Sequence, residues 1–343
     1  MKARNLIKAA TYKATIIALL LSTLTALVVS PGCQPKSTGG PTNTNSTSST
    51  TPIKLSVNSW VGWGPLFIAK EKGFFDGLNV DINFIEDAGA RRTAMISGQV
   101  DGYASSVDNL AIDATYGVTG KTVLCFDESA GADGIVAKSN ITWDNIKGRK
   151  VAVQKGLPGH FLLLYVLSQH GLKPSDVQIV DLDADKAGSG FVSGTLDVAV
   201  TWEPWISKAA AMSGGKKLIT TAELPGLIVD TLVVRDPVLQ SRPDDIRRLI
   251  QGWFKALDYY RANPDDGNRI IAAAYKLKPE EVKDIVSGIK FYDLSRNREF
   301  MGTPSNPGPI YKVFNQASSL WKDAGVVTET VDANRYIDPS YLP

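Results

Sequence analysis

The stretch from Gly194 to Trp205, GTLDVAVTWEPW, reads as a strand that stops at a polar and aromatic end. Leu196, Val198 and Val200 alternate as a strand entering a core. The run then finishes in Glu203 between Trp202 and Trp205, with Pro204 preventing regular continuation. Started one residue earlier, the segment SGTLDVAVTW (Ser193 to Trp202) aligns without a gap with SGQVDGYASS (Ser97 to Ser106). Both have a glycine at a helix end, a turn, an aspartate and then a strand whose last residues turn polar. The echo predicts two lobes of similar local architecture.

Outward from this pair, strands and helices alternate along the chain. Ile53, Leu55 and Val57 alternate as a strand, GPLFIAKEKGFF predicts a helix from Pro65 to Gly73, and Val80, Ile82 and Phe84 alternate again. Strand, helix and strand in so short a span predict a βαβ unit in a parallel or mixed sheet. The rhythm continues with ARRTAMIS helical, QVDGYAS extended, VDNLAIDATYG helical and KTVLCF extended. Beyond Gly131 it restarts. DGIVAK and KVAVQ read as strands, PGHFLLLYVLSQHG as a helix closed by Gly171, VQIVDL as a strand and DKAGSGFVSG as a short helix. After LIVDTLVVRDPVL the pattern changes to long helices. Ile246, Leu249, Ile250, Phe254, Leu257 and Tyr260 recur at helical spacing, so this tail is expected to cover a core already formed.

A chain of 343 residues, 43% hydrophobic and 21% charged, builds one large or two moderate globular cores. Its formal charge is +2, but Lys2, Arg4, Lys8 and Lys13 stand without an acid in the first 32 residues, and removing those four cations leaves −2. No nucleic-acid surface is implied. The same residues read as an export signal: a basic start ending at Lys13, an apolar run from Ala14 to Val29, and small residues before Cys33. The run contains Ser22, Thr23 and Thr25 and is shorter than the roughly 20 residues of a permanent span. VVSPGC resembles a bacterial lipobox, with Gly32 before the acceptor Cys33; Pro31 and Ser30 depart from its commonest pattern and keep ordinary cleavage nearby as the alternative.

The expected organisation is therefore a lipoprotein-type signal peptide at 1–32 and a flexible tether at 33–52 after a lipidated Cys33, in a protein exported to the periplasm or cell surface. Cys125 is the other cysteine, so the exported body is expected to hold no intrachain disulfide. Within KTVLCF it reads as a small buried hydrophobe. Two histidines and one free cysteine argue against a zinc or iron–sulfur cage, and no cofactor is expected.

Small ligands of open α/β sheets collect at the carboxyl ends of strands. Trp202 and Glu203 sit at such an end, as do Ser105, Ser106 and Asp108 in the echoing segment, and Trp60 and Trp63 of WVGWG after the first strand. Gly159 and His160 lie where a strand hands over to a helix, so the amides of Gly159, His160 and Phe161 are expected to be unpaired and aimed at an acceptor. Each has a plainer reading. Trp202 and Trp205 would pack a seam, Glu203 would pair with a lysine, Asp108 would cap the helix after Ser106, and His160 would serve as a helix-start donor.

SVNSWVGWGPLFIAKEKGFF, SGQVDGYASS, KGRKVAVQKGLPGHFLLLYVLSQHGL, SGTLDVAVTWEPW and ELPGLIVDTLVV together resemble the substrate-binding proteins of ABC importers for nitrate, sulfonate, taurine and related solutes. The resemblance spans most of Leu55 to Leu320. It implies an α/β, two-lobed periplasmic-binding-protein type II fold with a cleft between lobes joined by two hinge crossings. Lobe 1 would comprise 53–134 plus 230–343, and lobe 2 would comprise 135–229. Ligand contacts carry over to Trp60 and Trp63, Ser106 and Asp108, Gly159 and His160, and Trp202 and Glu203, with Asp230 at the second crossing. The implied partners are a small-molecule solute and the permease transmembrane subunits, for a monomer held at the membrane through its lipid. Because these clusters contain acids and no arginine, a sulfonate, taurine-like or amine-bearing solute is favoured over nitrate or bicarbonate. A pyrimidine-precursor-binding protein or enzyme on the same fold is the rival, disfavoured by the export signal and by the absence of a Ser-His-Asp arrangement.

Overall fold

The computed structural model describes residues 51 to 343 apart from Pro304. The expected signal peptide, Cys33 and nearly all of the tether lie outside the described residues.

The alternation of Ile53, Leu55 and Val57 becomes β1 (Ile53–Val57), with all three side chains buried. After it α1 (Gly64–Lys72) starts with Pro65 in its first turn, where the missing amide is not needed, and stops at Gly73 in the left-handed region (φ 70°). There follow β2 (Val80–Phe84), α2 (Ala88–Ser97), β3 (Gly102–Ser106), α3 (Val107–Thr115) and β4 (Gly120–Ser129). Next come β5 (Asp133–Lys138), β6 (Lys150–Val153), α4 (Pro158–Gln169), β7 (Gln178–Asp181), α5 (Ala184–Val192), β8 (Val198–Trp202), α6 (Trp205–Ala211) and β9 (Gly215–Thr220). The chain continues through β10 (Val229–Arg235), α7 (Asp236–Ser241), α8 (Pro243–Ala262), α9 (Pro264–Tyr275), α10 (Pro279–Val286), β11 (Ile289–Phe291), α11 (Leu294–Met301) and α12 (Pro309–Asp323).

Two mixed sheets result. The larger has the order β11-β4-β10-β3-β1-β2 and the smaller β7-β6-β8-β5-β9. Each holds a parallel trio, β2-β1-β3 in one and β7-β6-β8 in the other. Each trio is flanked by an antiparallel strand that has just arrived from the other sheet, β10 beside β3 and β5 beside β8. The chain crosses over residues 130–132 and returns over 221–228. The echo in the sequence thus has a structural meaning: SGQVDGYASS leads into β3 and SGTLDVAVTW into β8, the equivalent strands of the two sheets.

The carboxyl-terminal helices do more than cover. β11 adds an edge strand to the larger sheet, and Trp253 of α8 and Trp321 of α12 are wholly buried. The Trp253 ring lies 4.5 Å from that of Phe126 on β4. Truncating an indole buried this way to alanine costs about 3–5 kcal/mol. Trp321 packs against α4 of the smaller-sheet lobe, 6.0 Å from the Phe161 ring, so α12 ties the lobes together behind the cleft. Cys125 is fully buried, as expected, with Asn297 bridging its main-chain amide and carbonyl. Sequence reading missed α6 and β9: GKKLIT has no clean alternation, since Lys216 and Lys217 fall together on an edge strand.

Candidate functional site

A cleft of about 400 Å³ opens between the sheets. Its walls are the carboxyl ends of all six parallel strands. Asn58, Trp60 and Trp63 follow β1, Glu86 follows β2, and Ser105 and Ser106 end β3; Gln154 follows β6, Asp183 and Asp185 follow β7, and Trp202 ends β8. The crossing strands contribute their starts, Asp133 of β5 and Asp230 of β10, because antiparallel strands begin where their neighbours finish. A volume of this size suits a small organic molecule and exceeds what a bare ion needs.

Of the residues expected here, Trp60, Trp63, Ser106, Gly159, Trp202 and Asp230 line the cleft. Trp63 is 3% exposed; its Nε1 donates to Asn58 Oδ1 at 2.6 Å and its ring meets Phe126 edge to face. Trp60 keeps its Nε1 buried and unpartnered, close to the Asp127 carboxylate over Gly62, where any Cβ would collide with both groups. Glycine is required there by close approach. Trp202 and Trp205 both donate to one oxygen of Asp185, at 2.8 and 3.0 Å, so a single carboxylate sets the orientation of two indoles. Gly188, one turn further along α5, leaves the room that the Trp205 ring fills.

Asp108, His160 and Glu203 stand elsewhere. Glu203 accepts from the amide and hydroxyl of Ser207 at 3.0 and 2.9 Å, so its carboxylate caps α6. His160 accepts at Nδ1 from the Gly156 amide at 3.2 Å and turns its ring to Trp321, 5.3 Å away. Burial lowers its pKa to about 4, so it is neutral near pH 7. Asp108 is 1% exposed in the first turn of α3, with neither oxygen hydrogen-bonded; it neither faces the cleft nor caps the helix, and burial pushes it up to about 7. The expected row of free amides is also shorter. His160 and Phe161 donate to the Leu157 carbonyl, which leaves Gly159.

The expectation of a cleft without arginine is corrected by Arg91. It is 5% exposed on α2 and lines the wall, with Nη1 donating to the carbonyls of Ile85 and Glu86 at 2.8 and 2.9 Å. ARRTAMIS carries no sign of this, because which of two adjacent arginines turns inward depends on where α2 lies over the rim. Asp127 was missed because KTVLCF stops short of the end of strand β4, which runs on through Asp127 to Ser129, and Asp133 because it opens DGIVAK, which showed only a strand. Burial raises Asp127 to about 7 and Asp133 to about 6, and raises Asp230 well above the ordinary carboxylate range with Asp127 as the next cause. Among the described residues no three or more His, Cys, Asp or Glu side chains converge as metal ligands.

Two mixed sheets, a cleft at the carboxyl ends of their parallel strands and two chain crossings define a two-lobed fold of the periplasmic-binding-protein type II class. The chain belongs to the NMT1-like family, whose model matches residues 46–276. The taurine-binding periplasmic protein of Escherichia coli is 23% identical over 282 residues, covering 78% of this chain and 84% of that protein. Among solved structures, the periplasmic aliphatic sulphonate binding protein of Escherichia coli superposes with a TM-score of 0.70 at 19% identity, covering 84% of this chain and 92% of the other. The periplasmic nitrate-binding protein of Synechocystis PCC 6803 gives a TM-score of 0.58 at 14% identity, over 85% and 87% of the two chains. At these identities the two structures share the fold.

Proposed function

We propose that this protein is an exported receptor of an ABC importer that closes its lobes over a small organic solute and delivers it to the permease. The observation that carries the reading is the cleft itself, furnished by both lobes at once. A solute that touches both walls stabilises the closed arrangement, and one that touches a single wall does not. The names of the relatives, for taurine and aliphatic sulphonates, support a sulfonate, taurine-like or amine-bearing solute. In this reading lobe 1 is 53–134 plus 230–343, lobe 2 is 135–229, and the hinges lie near 131–134 and near 228–231. Residues 1–32 direct export, lipid on Cys33 holds the monomeric receptor at the membrane, and 33–52 is its tether.

Binding without turnover fits the site chemistry. Ser106 has no hydrogen-bonded base, since its Oγ is unpartnered, and His160 turns away from the cleft. A second reading, capture of nitrate or bicarbonate, is favoured by one feature, the Arg91 guanidinium in the wall. Native mass spectrometry of gently purified protein, followed by calorimetry and a thermal-shift screen of sulfonates, amines and inorganic anions, tests the proposal. The expected result is saturable one-to-one binding, with a rise in melting temperature equivalent to about 2.7 kcal/mol at a hundred times Kd. Chemical conversion of the bound molecule, or intact solute uptake in a strain lacking the gene, would overturn it.

A further inference from the structure

The larger sheet places Asp230, which lines the cleft, directly opposite Asp127, which is wholly buried behind it. Asp230 on β10 is registered against Asp127 on β4 and, on its other side, against Ser106 on β3. Residues directly opposed on neighbouring strands project to the same face, and like charges so placed repel. Asp127 is wholly buried and Asp230 is 6% exposed, and Asp108 and Asp133 lie near enough to add their own repulsion to Asp230. Among the described residues, no ion pair involves any of these four carboxylates.

The neighbour on β4 shows what a provided-for acid looks like. Glu128, on the opposite face of the strand, accepts from the Tyr292 hydroxyl at 2.9 Å and pairs with Lys290 at 3.3 Å and Arg296 at 3.9 Å. Asp127 has neither oxygen hydrogen-bonded. A separate polar group points the same way: the Ser106 hydroxyl, on a cleft-lining residue only 3% exposed, also has no partner. A buried carboxylate without a partner is costly, and a buried carboxylate pair more so; a proton held by the pair relieves this in the empty protein, and a cation entering from the cleft relieves it in the occupied one.

We propose that the Asp127–Asp230 pair, with the Ser106 hydroxyl beside it, is a subsite for a protonated nitrogen of the solute. The inference rests on the receptor reading above and adds the charge of the group that is recognised. The cation is an organic one, an ammonium or amidinium on a body that fills the rest of the cleft, because among the described residues the acids do not converge as metal ligands and the wall includes the indoles of Trp60, Trp63 and Trp202. Trp60 and Trp63 supply apolar faces that suit the carbon frame of such a cation. Arg91, on the same wall, suits an acidic group at the other end of a zwitterion.

The test compares solutes that differ in that one group. Taurine is measured against isethionate, where a hydroxyl replaces the ammonium, and benzylamine against benzyl alcohol, by calorimetry on the wild type and on Asp230→Asn and Asp127→Asn. The solute retained through gentle purification is identified in parallel by native mass spectrometry. The expected result is a retained solute with a basic nitrogen and at least one amine that binds about tenfold or more tightly than its hydroxyl partner, a preference that Asp230→Asn abolishes. Both variants are expected to melt at higher temperature than the ligand-free wild type, since each removes a repulsion, which also shows that they fold. Hydroxyl partners that bind as well as amines, a preference that survives Asp230→Asn, or a retained solute without basic nitrogen overturns the subsite and leaves the receptor standing. No retained solute and no binding by any member of the panel overturns both.

Discussion

Asn109 Nδ2 donates to the main-chain oxygen of Gly156 at 2.6 Å, joining α3 beside the larger sheet to the turn that precedes α4 in the smaller-sheet lobe. It is a hydrogen bond between lobes at the edge of the cleft, and Trp321 lies behind it, donating to the Asp108 carbonyl at 2.9 Å.

Asn109→Ala removes this tie. A net hydrogen bond contributes about 1 kcal/mol, so the closed arrangement should lose close to that and solute affinity should fall about fivefold, mostly through faster release. Stopped-flow dissociation checks it, and an unchanged release rate would show that the bond does not hold the lobes shut.

Glu203→Ala should act on stability and not on binding. The carboxylate caps α6 through Ser207, so its loss is expected to destabilise the protein by about 1 kcal/mol and leave the Kd within about twofold. Denaturant melts and calorimetry separate the two effects. A large loss of affinity at unchanged stability would return Glu203 to the cleft.

Asp185→Ala frees two indoles at once. With no acceptor for Trp202 or Trp205, one wall of the cleft loses its fixed geometry, and affinity should fall by about tenfold or more. Asp185→Asn keeps an acceptor oxygen and should recover most of that loss. Tryptophan fluorescence reports the change in indole environment directly.

The ligand-free protein should grow less stable as pH rises through neutrality. Asp108 and Asp127 are raised to about 7, Asp133 to about 6 and Asp230 further, so between pH 4 and 7 the native state binds more protons than the unfolded chain. The stability these acids lend in protonated form is then lost as pH climbs through their folded values. His160, lowered to about 4, works oppositely: its neutral form is favoured by the fold, so its contribution is gained as pH rises from 4 toward 6.5. These groups stand on α3, β4, β5, β10 and α4; of them Asp133 and Asp230 line the cleft, with Arg91 of α2 as the cation in its wall. Four acids outweigh one imidazole. A melting temperature highest near pH 4 and falling toward pH 8 is expected, with the fall reduced in Asp127→Asn.

Much of this fold was legible in residue order. The alternations at Ile53, Val80 and Val198, the glycines at Gly73 and Gly171, and the repeat of SG-x-x-D before β3 and β8 record strictly local rules of period and turn, and those rules act before any tertiary contact forms. Cleft walls at the ends of β1, β3 and β8 followed from topology alone. Helix α6 and strand β9 escaped notice because short elements with lysine on an edge leave a weak pattern.

Sequence by itself determined the class of protein: alternating strands and helices, two similar lobes, and indoles and acids at the strand ends. Only the tertiary structure decided which acids meet. Glu203 stands between two tryptophans in the chain and spends its oxygens on Ser207, whereas Asp127 and Asp230, more than a hundred residues apart, meet across neighbouring strands. Strand register and the burial it imposes are properties of the packed sheet, and a side chain acquires its partners, or its lack of them, only once that packing exists.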